Sequence, residues 1–129
     1  MNLAKPKFSV IIPLYNKEDY IENTIKSVLN QSFSDFELLV VDDGSTDSST
    51  ERVKKFTDIR IKLLRKKNGG VSDARNYGIE LAQSDWIALL DADDWWEPTF
   101  LKEMDVLIDK FPFCGLIGSG FKKIERHKT

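Results

Sequence analysis

One cysteine, Cys114, and one histidine, His127, are all that 129 residues hold of those two side chains. A single thiol makes no intrachain disulfide, and a zinc site of cysteine and histidine has no ligand set. Cys114 falls in Phe113-Cys114-Gly115-Leu116-Ile117, where a small buried hydrophobe is the simpler reading and a nucleophile the alternative. No apolar run approaches the ~20 residues that cross a bilayer, and the stretch from Met1 to Lys7 carries no apolar leader core. A strong charge of one sign is missing too. Nineteen basic against 21 acidic residues give a net charge of −2, which argues against a dedicated nucleic-acid binder. What is present, 41% hydrophobic and 31% charged residues, suits one soluble globular domain. A reducing cytoplasm is the expected compartment, with contact at the inner face of a membrane left open.

Several active-site signatures are also lacking. No Gly-x-Gly-x-x-Gly follows the first apolar run, and no Gly-x-x-x-x-Gly-Lys-Ser/Thr occurs, which excludes the dinucleotide fingerprint and the P-loop. No Gly-x-Ser-x-Gly elbow or Cys/His pair points to acyl transfer. A phosphatase with an aspartyl nucleophile would need acidic residues after the first strand, and none stand there.

The apolar pattern alternates between two periods. Phe8 to Ile12 reads as a buried strand stopped by Pro13. Tyr20/Ile21, Thr24/Ile25 and Val28/Leu29 recur four apart, a helix with Asn16 or Asp19 as its cap. Phe36 to Val41 is a second strand, and Ser49 to Phe56 a short helix behind a Ser/Thr cluster. Ile59, Ile61 and Leu63 alternate as a third strand near an edge. Val71, Ala74, Gly78 and Ala82 mark one helical face of small residues. Trp86 to Leu90 is a fourth strand. Pro98 suits the first turn of a helix continued by Leu101, Met104, Ile108 and Phe111, and Cys114 to Ile117 offers a fifth strand. The basic stretches Arg65-Lys66-Lys67 and Lys122 to Lys128 read as solvated edges. The order βαβαβαβαβ predicts an α/β fold, a mostly parallel sheet with helices on both faces.

In such sheets ligands sit beyond the carboxyl ends of the strands, at a switch point in strand order. Polar clusters fall there after strands one, two and four: Pro13 to Asn16, Asp42 to Asp47, and Asp91 to Asp94. Three carboxylates in Asp91-Ala92-Asp93-Asp94 repel one another unless a cation intervenes, and Mg²⁺ or Mn²⁺ accepts one or two carboxylates together with phosphate oxygens. The alternative is that they cap the next helix. Asp42-Asp43-Gly44-Ser45 suits a contact to a ribose or base, or a turn in which Gly44 takes positive φ; the two readings are compatible. Arg75 is placed to meet a phosphate or to pair with a carboxylate.

Four segments, taken in order, resemble the N-terminal half of a family 2 glycosyltransferase with the GT-A fold. They are Ser9-Val10-Ile11-Ile12-Pro13-Leu14-Tyr15-Asn16, Val41-Asp42-Asp43-Gly44-Ser45-Thr46-Asp47, Asn68-Gly69-Gly70 through Ala74-Arg75-Asn76-Tyr77-Gly78, and Leu90-Asp91-Ala92-Asp93-Asp94. The resemblance covers essentially the whole chain and implies a Rossmann-like, nucleotide-binding half domain. It implies a nucleotide-sugar donor, most often a UDP-sugar, and a glycan or lipid-linked acceptor, as in polysaccharide biosynthesis. Pro13 and Tyr15 would border the base, and Asp43 (or Asp42) would accept from uracil. Asn68 and Arg75 would contact the nucleotide, and Asp91 the ribose. Asp93 would hold Mn²⁺ or Mg²⁺ as part of the Asp-x-Asp motif, with Asp91 and Asp94 beside it.

The family transfers the sugar with inversion, using a general base from its C-terminal half. No residue here matches that base, so residues 1–129 are expected to be a domain truncated on its C-terminal side. An incomplete domain is expected to self-associate through exposed apolar surface or a bare sheet edge. The alternative function is a non-catalytic module that binds a nucleotide sugar or a partner. A nucleotidyltransferase is disfavoured for want of a Gly-rich basic loop after the first strand.

Overall fold

The structure, a computed structural model, describes residues 5–111, 116–119 and 122–126, the last two segments by their backbone. The elements are β1 (Phe8–Leu14), α1 (Ile21–Leu29), β2 (Phe36–Asp42), α2 (Ser49–Lys54), β3 (Ile61–Arg65), α3 (Val71–Leu81), β4 (Trp86–Leu89), α4 (Phe100–Lys110), β5 (Leu116–Ser119) and β6 (Lys122–Arg126). They form one six-stranded sheet in the order β3-β2-β1-β4-β6-β5. β1 pairs in parallel with β2 from Phe8↔Phe36 to Leu14↔Asp42, and with β4 from Phe8↔Trp86 to Ile11↔Leu89. Because β2 and β4 flank β1, the strand order reverses at β1. That is the switch point at which open α/β sheets take their ligands.

Period-two alternation in the strands sorts the core into two layers. Phe8, Val10, Ile12 and Leu14, with Leu38, Val40 and Ala88, face α1, α2 and α4. Ile11, Leu39, Val41 and Ile87 face Ala74 of α3. The helices after β1 and β2 thus lie on one face, and the helix that crosses back to β4 lies on the other. Small residues permit that crossing: a Cβ on Gly78 would stand 2.8 Å from Ile11 Cγ2 and 3.2 Å from Val41 Cγ2.

Four expectations are corrected. Pro13 does not stop β1, which runs to Leu14. Leu14 O accepts Asp43 N–H toward β2, so alternation turns Pro13 toward β4, past the last β1–β4 pair, Ile11↔Leu89. A missing N–H is tolerated there. Neither Asn16 nor Asp19 caps α1; it starts from Tyr20, whose N–H donates to Lys17 O. Ile59 is 95% exposed and precedes β3, although β3 is the edge strand expected. The fifth strand is Leu116–Ser119, and the basic tail supplies a sixth, β6, antiparallel to both β4 and β5. Cys114 and His127 lie outside the described residues.

Ahead of β3, Asp58 and Arg60 form a forked pair: Arg60 Nη2 donates to Oδ2 at 2.8 Å and Nε to Oδ1 at 3.0 Å, while the guanidinium lies 4.2 Å from the Phe36 ring centroid. The Arg60 side chain first, and then its N–H, hold Asp58 down from 3.8 to about 2 against the upward push of burial. A depressed carboxylate stabilises the fold above its unfolded pKa and loses that contribution as pH falls from 3.8 through about 2. Such a shift is worth about 2.5 kcal/mol, reduced to about 1–2 kcal/mol by partial exposure. Asp58→Asn is therefore expected to lower urea stability at pH 7 by that amount. The gap to the unmodified protein should narrow below pH 3.8; an equal gap at pH 7 and pH 3 would contradict it. Among the described residues no helix is long and apolar enough to cross a membrane.

Candidate functional site

Three polar segments cap the carboxyl ends of β1, β2 and β4, and hydrogen bonds fasten them to the fold and to one another. Asn16, after β1, takes φ 49°, a left-handed conformation that asparagine adopts more readily than most residues. Its Oδ1 accepts Thr46 N–H at 2.8 Å and Asp47 N–H at 3.3 Å, and its own N–H donates to Ser45 Oγ at 3.0 Å. Lys17 N–H donates to Ser49 Oγ at 2.9 Å. The segment that carries Tyr15 is thereby braced against the loop after β2.

The two aspartates ending β2 have different tasks. Asp42 is fully buried: Oδ2 accepts Thr50 Oγ1–H at 2.6 Å and lies 3.4 Å from Arg65 Nε, and Oδ1 accepts Ser45 N–H at 3.0 Å. Asp43 turns the other way. Its Oδ1 accepts from Lys66 Nζ at 2.7 Å and Gly69 N–H at 2.9 Å, and its Oδ2 accepts Gly70 N–H at 2.9 Å. Asn68 Nδ2 donates to Asp43 O at 2.9 Å and stands 3.4 Å from Oδ2. Burial pushes the Asp43 carboxyl up, but Lys66 and the two glycine amides outweigh it and hold it below the usual carboxylate range. Lys66, raised in turn by Asp43 and then Asp73, stays ammonium. Arg65 and Lys66 therefore answer Asp42 and Asp43, which corrects their reading as a solvated edge. Gly44 has φ 83°, the positive φ foreseen, and a Cβ there would meet Asn68 N at 3.0 Å.

Beyond β4, Thr24 of α1 anchors the third segment. Its hydroxyl lies 2.6 Å from Asp94 O and 2.8 Å from Ala92 O, so its one proton serves one carbonyl at a time. Asp91 Oδ1 accepts from Arg75 Nη2 at 2.9 Å, and Asp93 Oδ2 lies 3.3 Å from Lys17 Nζ. Repulsion among the carboxylates is thus met by two cations from other elements. These aspartates do not cap α4, which starts after Thr99; Asp94 Oδ1 instead accepts Trp95 N–H at 2.8 Å.

Between the three segments lies a cleft of about 570 Å³, within the range of small-ligand sites. The fold brings Pro13, Tyr15, Asp43, Asn68, Arg75, Asp91 and Asp93 together on its walls. Asp42 and Asp94 are not among its lining. Lys17, Gly70, Val71 and Ala74 line it and were not singled out from sequence as site residues. Lys17 directly follows a recognised segment, which was the available signal, and its approach to Asp93 is made by the fold; Val71 and Ala74 read only as a packing face of α3.

Asp91 and Asp93, with side chains 54% and 45% exposed, offer two carboxylates to the cleft. Among the described residues no three Asp, Glu, His or Cys side chains assemble as a metal cage. Such a pair fits an ion of the Mg²⁺ or Mn²⁺ type, which takes one or two carboxylates and completes its shell with phosphate oxygens and water.

Fold and cleft together define a doubly wound α/β protein whose cleft lies at the switch point of the sheet. Residues 9–126 match the sequence profile described as Glycosyl transferase family 2, and the chain belongs to that family. It is 40% identical over 118 residues to TuaG of Bacillus subtilis, named for teichuronic acid biosynthesis, covering 86% of this chain and 47% of that protein. Staphylococcus aureus TarS (residues 1–349), solved with UDP-GlcNAc, superposes with a TM-score of 0.77 at 36% identity, covering 81% of this chain and 31% of that one. The mannosyltransferase PcManGT of Pyrobaculum calidifontis, solved with GDP-Man and Mn²⁺, shares the fold with a TM-score of 0.84 at 20% identity over 95% of this chain and 45% of that one. The chain spans less than half the length of each.

Proposed function

We propose that the cleft binds a nucleotide-sugar donor, a UDP-sugar, and that this chain supplies the donor-binding part of a cytoplasmic, inverting, metal-dependent glycosyltransferase. The observation that carries the reading is the gathering of Tyr15, Asp43, Asn68, Arg75, Asp91 and Asp93 around one cleft at the switch point. Further support is the 36% identical TarS, solved with UDP-GlcNAc.

In this reading Pro13 and the half-exposed ring of Tyr15 form an apolar edge for the base, and Asp43 accepts an N–H from it. Asn68 helps position the nucleotide from the loop that closes on Asp43. Asp91 meets the ribose, and Arg75, now on Asp91, turns to the diphosphate. Asp93, with Asp91 beside it, holds Mn²⁺ or Mg²⁺, which when bound neutralises charge growing on the departing diphosphate. Lys17 is released from Asp93 in that exchange and adds positive charge on the same side. Inversion needs a general base on the acceptor hydroxyl, and no residue of this chain is assigned to it. The acceptor is a glycan or a lipid-linked sugar, in keeping with the biosynthetic role for which TuaG is named.

Calorimetric titration of UDP with and without Mn²⁺ tests the reading, beside Asp93→Ala. Metal-dependent binding is expected, weakened at least about 100-fold in the variant, since even outer-shell partners of a metal contribute 10–100-fold. No binding of UDP by the unmodified chain would sink it.

A further inference from the structure

Within that reading, which the inference deepens, one part-buried cation belongs to neither the metal nor the diphosphate end. Lys66 has a side chain only 13% exposed, and its ammonium meets Asp43 Oδ1 at 2.7 Å, the Asp73 carboxylate and Lys67 O at 2.6 Å. It joins the end of β2 to the first turn of α3 across the loop 66–70. Three donors of that loop, Lys66 Nζ, Gly69 N–H and Gly70 N–H, converge on one carboxylate. Oδ1 has both acceptor positions filled. Oδ2 accepts Gly70 N–H at 2.9 Å and, over a longer 3.4 Å, a second N–H of the Asn68 amide, which also donates to Asp43 O at 2.9 Å. The Asn68 contact is the longest on that carboxylate, and a ring N–H entering the cleft that Asp43 and Asn68 both line can take its place on Oδ2.

We propose that Lys66 is a positioning residue for the nucleobase: it latches the loop 66–70 onto Asp43 and leaves that carboxylate a fixed acceptor for one ring N–H. An ionised carboxylate only accepts. Uracil presents N3–H to such a group, whereas N3 of cytosine carries no hydrogen and opposes it lone pair to lone pair. The latch thus serves base selection as well as loop order. Without Lys66, Asp43 keeps its two glycine amides but loses the cation that fixes Oδ1, and the loop gains freedom to rotate Oδ2 away.

Two variants and two readouts test this. Lys66→Met keeps length and removes the charge; Lys66→Arg restores a cation able to reach both aspartates. Without ligand, amide exchange at Gly69 and Gly70 is expected to be about tenfold faster in Lys66→Met, with Val10 and Ile12 of β1 unchanged. With Mn²⁺ present, Lys66→Met should bind UDP about tenfold more weakly and lose most of its preference for UDP over CDP, while Lys66→Arg recovers both. Unchanged glycine exchange in Lys66→Met would overturn the latch. Equal weakening of UDP and CDP would overturn the role in base selection, because loss of loop order alone affects both alike. Failure of the unmodified chain to bind UDP is a failure of the donor reading; it shows before any variant is made, takes base selection with it, and leaves the exchange experiment to decide the latch.

Discussion

Asp42→Ala is expected to lower the unfolding free energy by about 3 kcal/mol, whereas Asp93→Ala leaves the unfolding midpoint where it was. Both residues are acidic, and both stand at the carboxyl end of a strand. Asp42 is fully buried, and its two oxygens serve Ser45 N–H, Thr50 Oγ1 and Arg65. Truncation leaves donors without an acceptor inside the fold, and breaking a buried pair costs about 3–5 kcal/mol. Arg65, with a side chain 58% exposed, finds water instead, which sets the effect at the lower end. Asp93 has a side chain 45% exposed, facing one half-exposed lysine. Surface pairs of that kind contribute little. Urea unfolding separates the two: with a slope of about 1–3 kcal/mol per M, Asp42→Ala should move the midpoint down by one molar or more. Titration with UDP and Mn²⁺ should rank them the other way for the Asp93 variant, which folds normally and loses metal-dependent binding. A stable Asp42→Ala protein with weakened UDP binding would reverse the assignment and make Asp42 the ligand contact.

Gly78→Val is the second large effect, and it acts on the opposite face of the sheet. A single Cβ at residue 78 already falls 2.8 Å from Ile11 Cγ2 and 3.2 Å from both Ile11 Cδ1 and Val41 Cγ2. Ile11 is a β-branched residue in the central strand with no exposure, so its γ-methyl has nowhere to go. Alanine at this position gains about 1 kcal/mol of helix propensity over glycine, which offsets part of the crowding. Valine adds two further methyls and lower propensity. Overpacking costs about 1–3 kcal/mol, occasionally more, and Gly78→Val is placed at about 3 kcal/mol. The same variant displaces α3, whose second turn carries Arg75 into the cleft, so UDP binding is expected to fall with stability. Chemical denaturation of the glycine, alanine and valine proteins checks the order; equal midpoints for all three would mean α3 shifts freely over the sheet.

The architecture was legible because apolar period does the work in both kinds of element. Strands β1 and β2 are buried on both faces and apolar but for Ser9, Glu37 and Asp42, and α1 and α4 carry one apolar stripe each. The cleft was legible because most of its residues sit at strand ends, where sequence adjacency and spatial adjacency coincide: Pro13 near the end of β1 and Tyr15 just after it, Asp43 after β2, Asp91 and Asp93 after β4. What escaped was non-local. Lys122 to Arg126 carries four charged residues around Ile124, a pattern that reads as solvent-facing; its strand character comes from the β4 edge it covers. The partners of Asp42 and Asp43 lie 23 residues on, in a basic run whose charges cannot by themselves say whether they face water or a buried carboxylate. Local propensity also misread Asn16, whose side chain reaches across to residues 46 and 47 instead of capping its own helix.

That last contact has a kinetic consequence. Asn16 and its brace are 30 residues apart in the chain, so the wall that carries Tyr15 has no local means of holding its shape. It can set only after β1 and β2 have come into register, because closure of so long a loop precedes any contact that rewards it. By the same logic the wall and the loop after β2 are expected to open together, since each loses hydrogen bonds when the other moves. A substitution at Thr46 or Asp47 is therefore felt at Tyr15, on the far side of a seam that no stretch of neighbouring sequence records.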